Sequence, residues 1–220
     1  MDLEPLGARF RETFDAKMAA RERALAASRK AIRSSANCIR ALHRGDRARA
    51  SELMEEARAA IADGVAASAD HPDVAQGGFL QDAMKEYTEA RFTEAIIDSS
   101  DRVPTPDELG VQLAPYLNGM SEAVGEARRE ILDLLRKGDV ANSERMLAAM
   151  EDIYALLATI DYPDAITGNL RRSTDVARSI MEKTRGDLSL SLVQRDLKDA
   201  LDRHARAVLG QADAQASDDA

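Results

Sequence analysis

Tryptophan is absent from this sequence, cysteine occurs once, and aromatic residues make up 4% of it. The aromatic and β-branched residues that favour strands are thin, so a sheet has little to build on. A single cysteine excludes an internal disulfide and a cysteine-rich zinc site. Cys38 lies among Ala36, Ile39 and Leu42, where it reads as a small buried apolar residue rather than a reactive thiol. No stretch approaches the roughly 18 apolar residues of a membrane span. The start, Met1-Asp2-Leu3-Glu4-Pro5, lacks the basic residues and apolar run of an export signal. These absences predict a soluble, cytoplasmic protein with no membrane partner. There is also no glycine-rich phosphate loop and no long repeat, which argues against nucleotide-binding folds and solenoids. None of His43, His71 and His204 sits in a pattern suggesting general-base work, and no Ser/His/Asp triad is apparent.

What is present points to helices packed on helices. Apolar residues make up 45% of the 220 positions, with Ala, Leu, Arg and Glu dominant. One long helix is predicted over 6–44, with Phe10, Phe14, Leu25, Ile32, Ile39 and Leu42 as its apolar landmarks. Arg44-Gly45-Asp46 ends it: glycine suits the left-handed position after a helix, and aspartate caps the next one. The same punctuation recurs at Arg136-Lys137-Gly138-Asp139 and Arg185-Gly186-Asp187, giving three expected corners. Further helices are expected over 47–69, 75–100, up to 137 after the Val103–Pro106 linker, then 140–160, 164–184 and 188–209. The chain therefore reads as one all-α domain of seven helices over 1–210, with a small, polar, disordered tail over 211–220.

Two features carry chemistry. Glu86 and Glu89, in Lys85-Glu86-Tyr87-Thr88-Glu89-Ala90, are neighbours about 60° apart on a helix, where like charges repel unless a cation lies between them. Glu122 and Glu126 form a second pair, on the face of their helix opposite the apolar stripe Leu113, Leu117, Met120, Val124, Ala127, Ile131 and Leu134. That placement taken alone argues for solvent. Basic charge also collects, despite a net charge of -9. Arg29, Arg33 and Arg40 lie on the first helix, and Arg171, Arg172, Arg178 and Lys183 on the sixth. Such stripes neutralise phosphates or pair with nearby carboxylates.

Asn169 to Leu188, Asn-Leu-Arg-Arg-Ser-Thr-Asp-Val-Ala-Arg-Ser-Ile-Met-Glu-Lys-Thr-Arg-Gly-Asp-Leu, resembles the C-terminal signature of translin-family proteins. Ser28 to Asn37 and Ala41 to Asp46 are similar to the family's first helix. Glu86-Tyr87-Thr88-Glu89-Ala90 resembles the motif of translin-associated factor X, the nuclease partner of translin. The resemblance spans about residues 6–208. It implies a seven-helix domain assembling into a hollow homo-oligomer, an octamer, that holds single-stranded RNA or DNA inside. The factor X branch further implies an endoribonuclease using Mg²⁺, or Mn²⁺ in its place, with four acidic residues. By that resemblance these are Glu86, Glu89, Glu122 and Glu126, as both metal ligands and catalytic residues. Glu122 stands where the active branch has Asp. Two readings remain open: a metal-dependent endoribonuclease on single-stranded RNA, and a non-catalytic oligomer that binds single-stranded RNA or DNA.

Overall fold

The computed structural model describes the backbone of residues 1–218 and the side chains of residues 1–207. Among the described residues there are nine helices and no strand: α1 Glu4–His43, α2 Arg47–Ala67, α3 Pro72–Ala75, α4 Gly78–Ile97, α5 Pro106–Leu109, α6 Leu113–Lys137, α7 Val140–Ala158, α8 Asp164–Thr167 and α9 Leu170–Asp218. Three are single turns, so six long helices carry the architecture. The all-α class agrees with the sequence reading. No helix among the described residues is long and apolar enough to cross a membrane.

Two of the expected corners are present. Gly45 and Gly138 both take positive φ, and the aspartates that follow them cap the next helix, Asp46 accepting from Arg49 N and Asp139 from Asn142 N. The third corner is not there. Helix α9 runs straight through Gly186, joining the helix expected over 188–209 to most of the one expected over 164–184, whose first turn is split off as α8 by the positive φ of Gly168 and Asn169. Met181, Thr184 and Leu188 are buried on either side of Gly186 and keep one face packed across it. Asp187, instead of capping, accepts from Arg128 at 2.7 Å. The tail over 211–220 falls in the stretch whose side chains are not described.

Helices α1 and α2 form an antiparallel hairpin whose contact faces are mostly small. Ala24, Ala27, Ser28, Ala31, Ser34, Ser35 and Cys38 are buried on α1, against Ala50, Ala57, Ala60 and Gly64 on α2. Small side chains let the two backbones approach closely. A Cβ on Gly64 would meet Leu80 Cδ2 at 2.8 Å and Ala27 Cβ at 3.3 Å. Cys38 is fully buried and donates to Ala50 O at 3.3 Å, and burial pushes its thiol up to about 12. It is a packing residue.

Helix α4 lies antiparallel on α6, with Phe92 and Tyr116 edge to face at 5.5 Å. Helix α9 runs parallel to α6, fixed by Ser121 Oγ donating to Ser173 O and by Arg128 bonding both Thr184 and Asp187. Leu117, Met120, Val124, Ala127 and Ile131 fill the middle of the bundle. Part of the long helices stays outside it. Phe10, Phe14 and Met18 on α1 and Leu190, Val193, Leu197 and Leu201 on α9 are all more than half exposed. Phe10 and Phe14, the first apolar landmarks of the helix expected over 6–44, therefore lie outside the bundle, and α1 becomes buried only from Ala24 onward.

Candidate functional site

Glu86 and Glu89 meet Glu122 because α4 and α6 cross with almost nothing between them. Gly119 makes that approach: a Cβ there would sit 2.3 Å from Lys85 O, 2.7 Å from Thr88 Cβ and 3.1 Å from Glu89 N. One turn after Gly119, Glu122 projects over α4 at the level of Glu86 and Glu89. Carboxylate oxygens of Glu86, Glu89 and Glu122 lie within 4.8 Å of one another.

The electrostatics of this cluster are severe. Glu89 has its pKa raised from 4.5 to about 8, first by burial and then by the charges of Glu86, Glu122 and Glu126. Lys85 is the nearest cation, its Nζ 2.7 Å from Glu122 and 3.5 Å from Glu86. Burial works against the Lys85 ammonium, but the hydrogen bond to Glu122 and the charges of Glu122 and Glu86 outweigh it, holding its pKa above the ordinary lysine value.

Glu126, one turn beyond Glu122, faces another way. His43, at the end of α1, points Nε2 at Glu126 at 2.5 Å and Nδ1 at Glu130 at 2.9 Å. The His43 side chain is only 4% exposed. The Glu126 bond, helped by Glu130 and against the cost of burial, raises the His43 pKa, while the same bond lowers that of Glu126. Three of the four expected carboxylates thus share one point and the fourth is engaged by histidine. His43 and Lys85 were not legible as site residues in the sequence. Lys85 is adjacent to Glu86, but its reach to Glu122 needs the α4–α6 crossing, and His43 is far from both its partners in the chain.

The donor set fits a hard divalent cation. All three groups are carboxylates, and Mg²⁺ takes oxygen ligands at about 2.0–2.1 Å while keeping several waters. Two ligands across one ion lie about 4.2 Å apart at most, so small side-chain rotations close the remaining distance. A carboxylate whose ionised form is as disfavoured as that of Glu89 gains most from a cation beside it.

A cavity of about 400 Å³ opens onto this cluster, lined by Glu89, Ser121 and Glu122 on one side and Arg172, Ser173, Val176 and Ile180 of α9 on the other. Arg172 is therefore the expected basic residue that the fold brings to the carboxylates. Lys183 lies about three turns further along the same side of α9. Arg171 and Arg178 sit on another face and are ion-paired, with Asp161 at 2.7 Å and Glu182 at 2.9 Å. Both pairs are well exposed, so they hold those arginines weakly. Arg29, Arg33 and Arg40 share one exposed face of α1 and do not line this cavity.

No protein-family model matches the chain. It is 30% identical over 193 residues to the uncharacterized protein MJ0175 of Methanocaldococcus jannaschii, covering 85% of this chain and 83% of that one. Among solved structures it is similar to AfC3PO, with 32% identity, a TM-score of 0.73 and coverage of 89% of this chain and 99% of that one. A second AfC3PO structure, a complex with duplex RNA, gives a TM-score of 0.74 at the same identity. NeC3PO shares the fold at 23% identity and a TM-score of 0.71, over 86% of this chain and 97% of that one. The all-helical C3PO fold is thus the class to which this architecture belongs. The chain is a member of the translin family.

Proposed function

We propose that the protein binds single-stranded RNA and cleaves it in a Mg²⁺-dependent reaction, acting in the cytoplasm as a homo-oligomer. One observation carries this reading: Glu86, Glu89 and Glu122 converge on a cavity whose opposite wall presents Arg172. A bound ion would supply Lewis-acid polarisation of the phosphodiester and an acidified water. The chain's own residues do the rest. Glu86, Glu89 and Glu122 would hold the ion, Arg172 would meet the phosphate with its planar fork, and Lys183 would extend the basic track on the same side of α9, with Arg171 and Arg178 offering further positive charge on a neighbouring face. Arg29, Arg33 and Arg40 add a second basic track on α1. The unpartnered apolar faces of α1 and α9 support association of like chains, and the family resemblance suggests eight.

A second reading, a non-catalytic oligomer that binds single-stranded RNA or DNA, is favoured by the hold of His43 on Glu126, which engages one of the four carboxylates that the family resemblance assigns to cleavage.

Cleavage of end-labelled single-stranded RNA in Mg²⁺ and in EDTA decides between them, with duplex RNA and single-stranded DNA as parallel substrates because AfC3PO has been solved with duplex RNA. Wild type is expected to cut only with Mg²⁺, and Glu89→Gln and Glu122→Gln to lose cleavage while retaining RNA affinity. Binding without cleavage by wild type would leave the second reading standing. Failure to bind any of the three substrates would remove both.

A further inference from the structure

We propose that Lys85 is the resident second cation of the acidic cluster, so that the site takes one divalent ion where an all-carboxylate site would take two. The inference rests on the metal-dependent reading above and adds the number of ions and the residue that sets it.

The argument starts from position. Lys85 is only 26% exposed, and its Nζ reaches inward to lie between Glu122, at 2.7 Å, and Glu86, at 3.5 Å. Its backbone has little room to shift, because Lys85 O is the atom against which Gly119 packs most closely. An ammonium in that place occupies the space between two carboxylates that a bridging ion would need. Paired ions in phosphodiester-cleaving sites lie roughly 3.5–4 Å apart and share bridging carboxylates.

Charge leads to the same count. One divalent ion and the Lys85 ammonium together match Glu86, Glu89 and Glu122. A second divalent ion would leave the cluster strongly positive, and Glu126 offers no compensation because His43 and Arg129 already face it, at 2.5 Å and 3.7 Å. A carboxylate has two oxygens, so Glu122 can keep Lys85 on one and an ion on the other. Lys85 is in this sense a positioning residue: it holds Glu122 across the α4–α6 crossing and fixes how much further positive charge the cluster accepts.

Mn²⁺ binding to the full chain, followed by electron paramagnetic resonance, tests this. The variants are Lys85→Met, Lys85→Gln and Lys85→Arg, with Glu89→Gln to identify ions bound at this site rather than elsewhere on an acidic surface. Melting by circular dichroism confirms that each is folded, and the two neutral variants guard against one of them failing to fold. Wild type is expected to bind one Mn²⁺ per chain that Glu89→Gln loses. Removing a unit charge roughly 5 Å from a divalent ion, even in a water-like medium, strengthens binding by about tenfold. Each neutral variant should therefore bind that ion about tenfold more tightly or take up a second, while Lys85→Arg stays at one ion with wild-type affinity. Two Glu89-dependent ions per wild-type chain would overturn the proposal and leave the metal reading intact. Neutral variants that bind as wild type does, or more weakly, would overturn it equally. No Mn²⁺ bound by any of the proteins would overturn the metal reading and this proposal with it.

Discussion

Adding one methyl group to α6 should separate the two halves of the site. In Gly119→Ala the new Cβ would lie 2.3 Å from Lys85 O and 3.1 Å from Glu89 N, both backbone atoms that no rotamer change can move. Ordinary contact requires about 3.4 Å or more, so α4 and α6 must part by roughly 1 Å at this level. Overpacking of this kind costs about 1–3 kcal/mol, and a rigid backbone partner places it at the upper end. Alanine recovers about 1 kcal/mol as a better helix former than glycine, leaving a net loss near 2 kcal/mol. In a chain of this size that lowers Tm by about 4–8 °C. The control is Gly125→Ala on the same helix, where the nearest atom is Ile180 Cδ1 at 4.0 Å. There only the propensity gain operates, and Tm should rise by about 2–4 °C. The functional reading follows from the same shift. Oxygens already up to 4.8 Å apart would move beyond the reach of a single ion, so Gly119→Ala should lack the stabilisation by Mg²⁺ that is expected of wild type and Gly125→Ala. Thermal melts of the three proteins in EDTA and in Mg²⁺ are sufficient. Equal Tm shifts for the two substitutions, or an undiminished Mg²⁺ effect in Gly119→Ala, would refute the account of the crossing.

Two further expectations concern the charges around it. The folded chain holds a proton on Glu89 up to about pH 8, against 4.5 ordinarily, so the stability linked to this group is fully present below about pH 4.5 and is lost as pH rises through about 8. Melting in EDTA should fall over that window, Glu89→Gln should flatten the fall, and an unchanged slope in the variant would show that burial of this carboxylate is misjudged. For His43, whose pKa is raised, the linked stability is present below about 6.5 and lost as pH rises past its folded value; for Glu126, whose pKa is lowered, it is lost as pH falls. His43→Ala should therefore cost about 2 kcal/mol in urea denaturation near pH 6, because it removes the hydrogen-bond partner of the mostly buried Glu126 and Glu130 and leaves Glu126 only Arg129 at 3.7 Å, and the deficit should shrink at alkaline pH.

Local signals in the sequence located the long helices well, and context overrode them most plainly at Gly186. Arg44-Gly45-Asp46 and Arg185-Gly186-Asp187 are the same three residues, yet one is a corner and the other is mid-helix. The difference is what surrounds them. After Gly45 the chain turns back so that α2 can cover the small-residue face of α1. Around Gly186 the buried positions continue in helical register, and Asp187 has Arg128 to bond instead of a helix end to cap. At the site, the spacing of Glu86 with Glu89 and of Glu122 with Glu126 was visible as pattern, but on α6 it pointed to solvent. The face opposite the apolar stripe turned out to carry Glu122 over α4, because Gly119 removes the bulk that would hold the helices apart. Lys85 and His43 could not be read in advance. Each acts on partners supplied by another helix, and no periodicity within one helix reveals that.

Helix α1 is a single rod of about 60 Å, with bare apolar residues at Phe10, Phe14 and Met18 near one end and His43 closing on Glu126 at the other. A rod of this kind transmits angle as well as distance. One residue inserted between Met18 and Ala24 would swing the apolar face by about 100° about the axis relative to the carboxylates, whereas seven would return it to within about 20° of its present bearing. The composition of both ends would be untouched in either case. The number of residues in that stretch is therefore a setting of phase: it determines the bearing at which a neighbouring molecule seated on the outer half would meet the cavity beside Glu89 and Glu122.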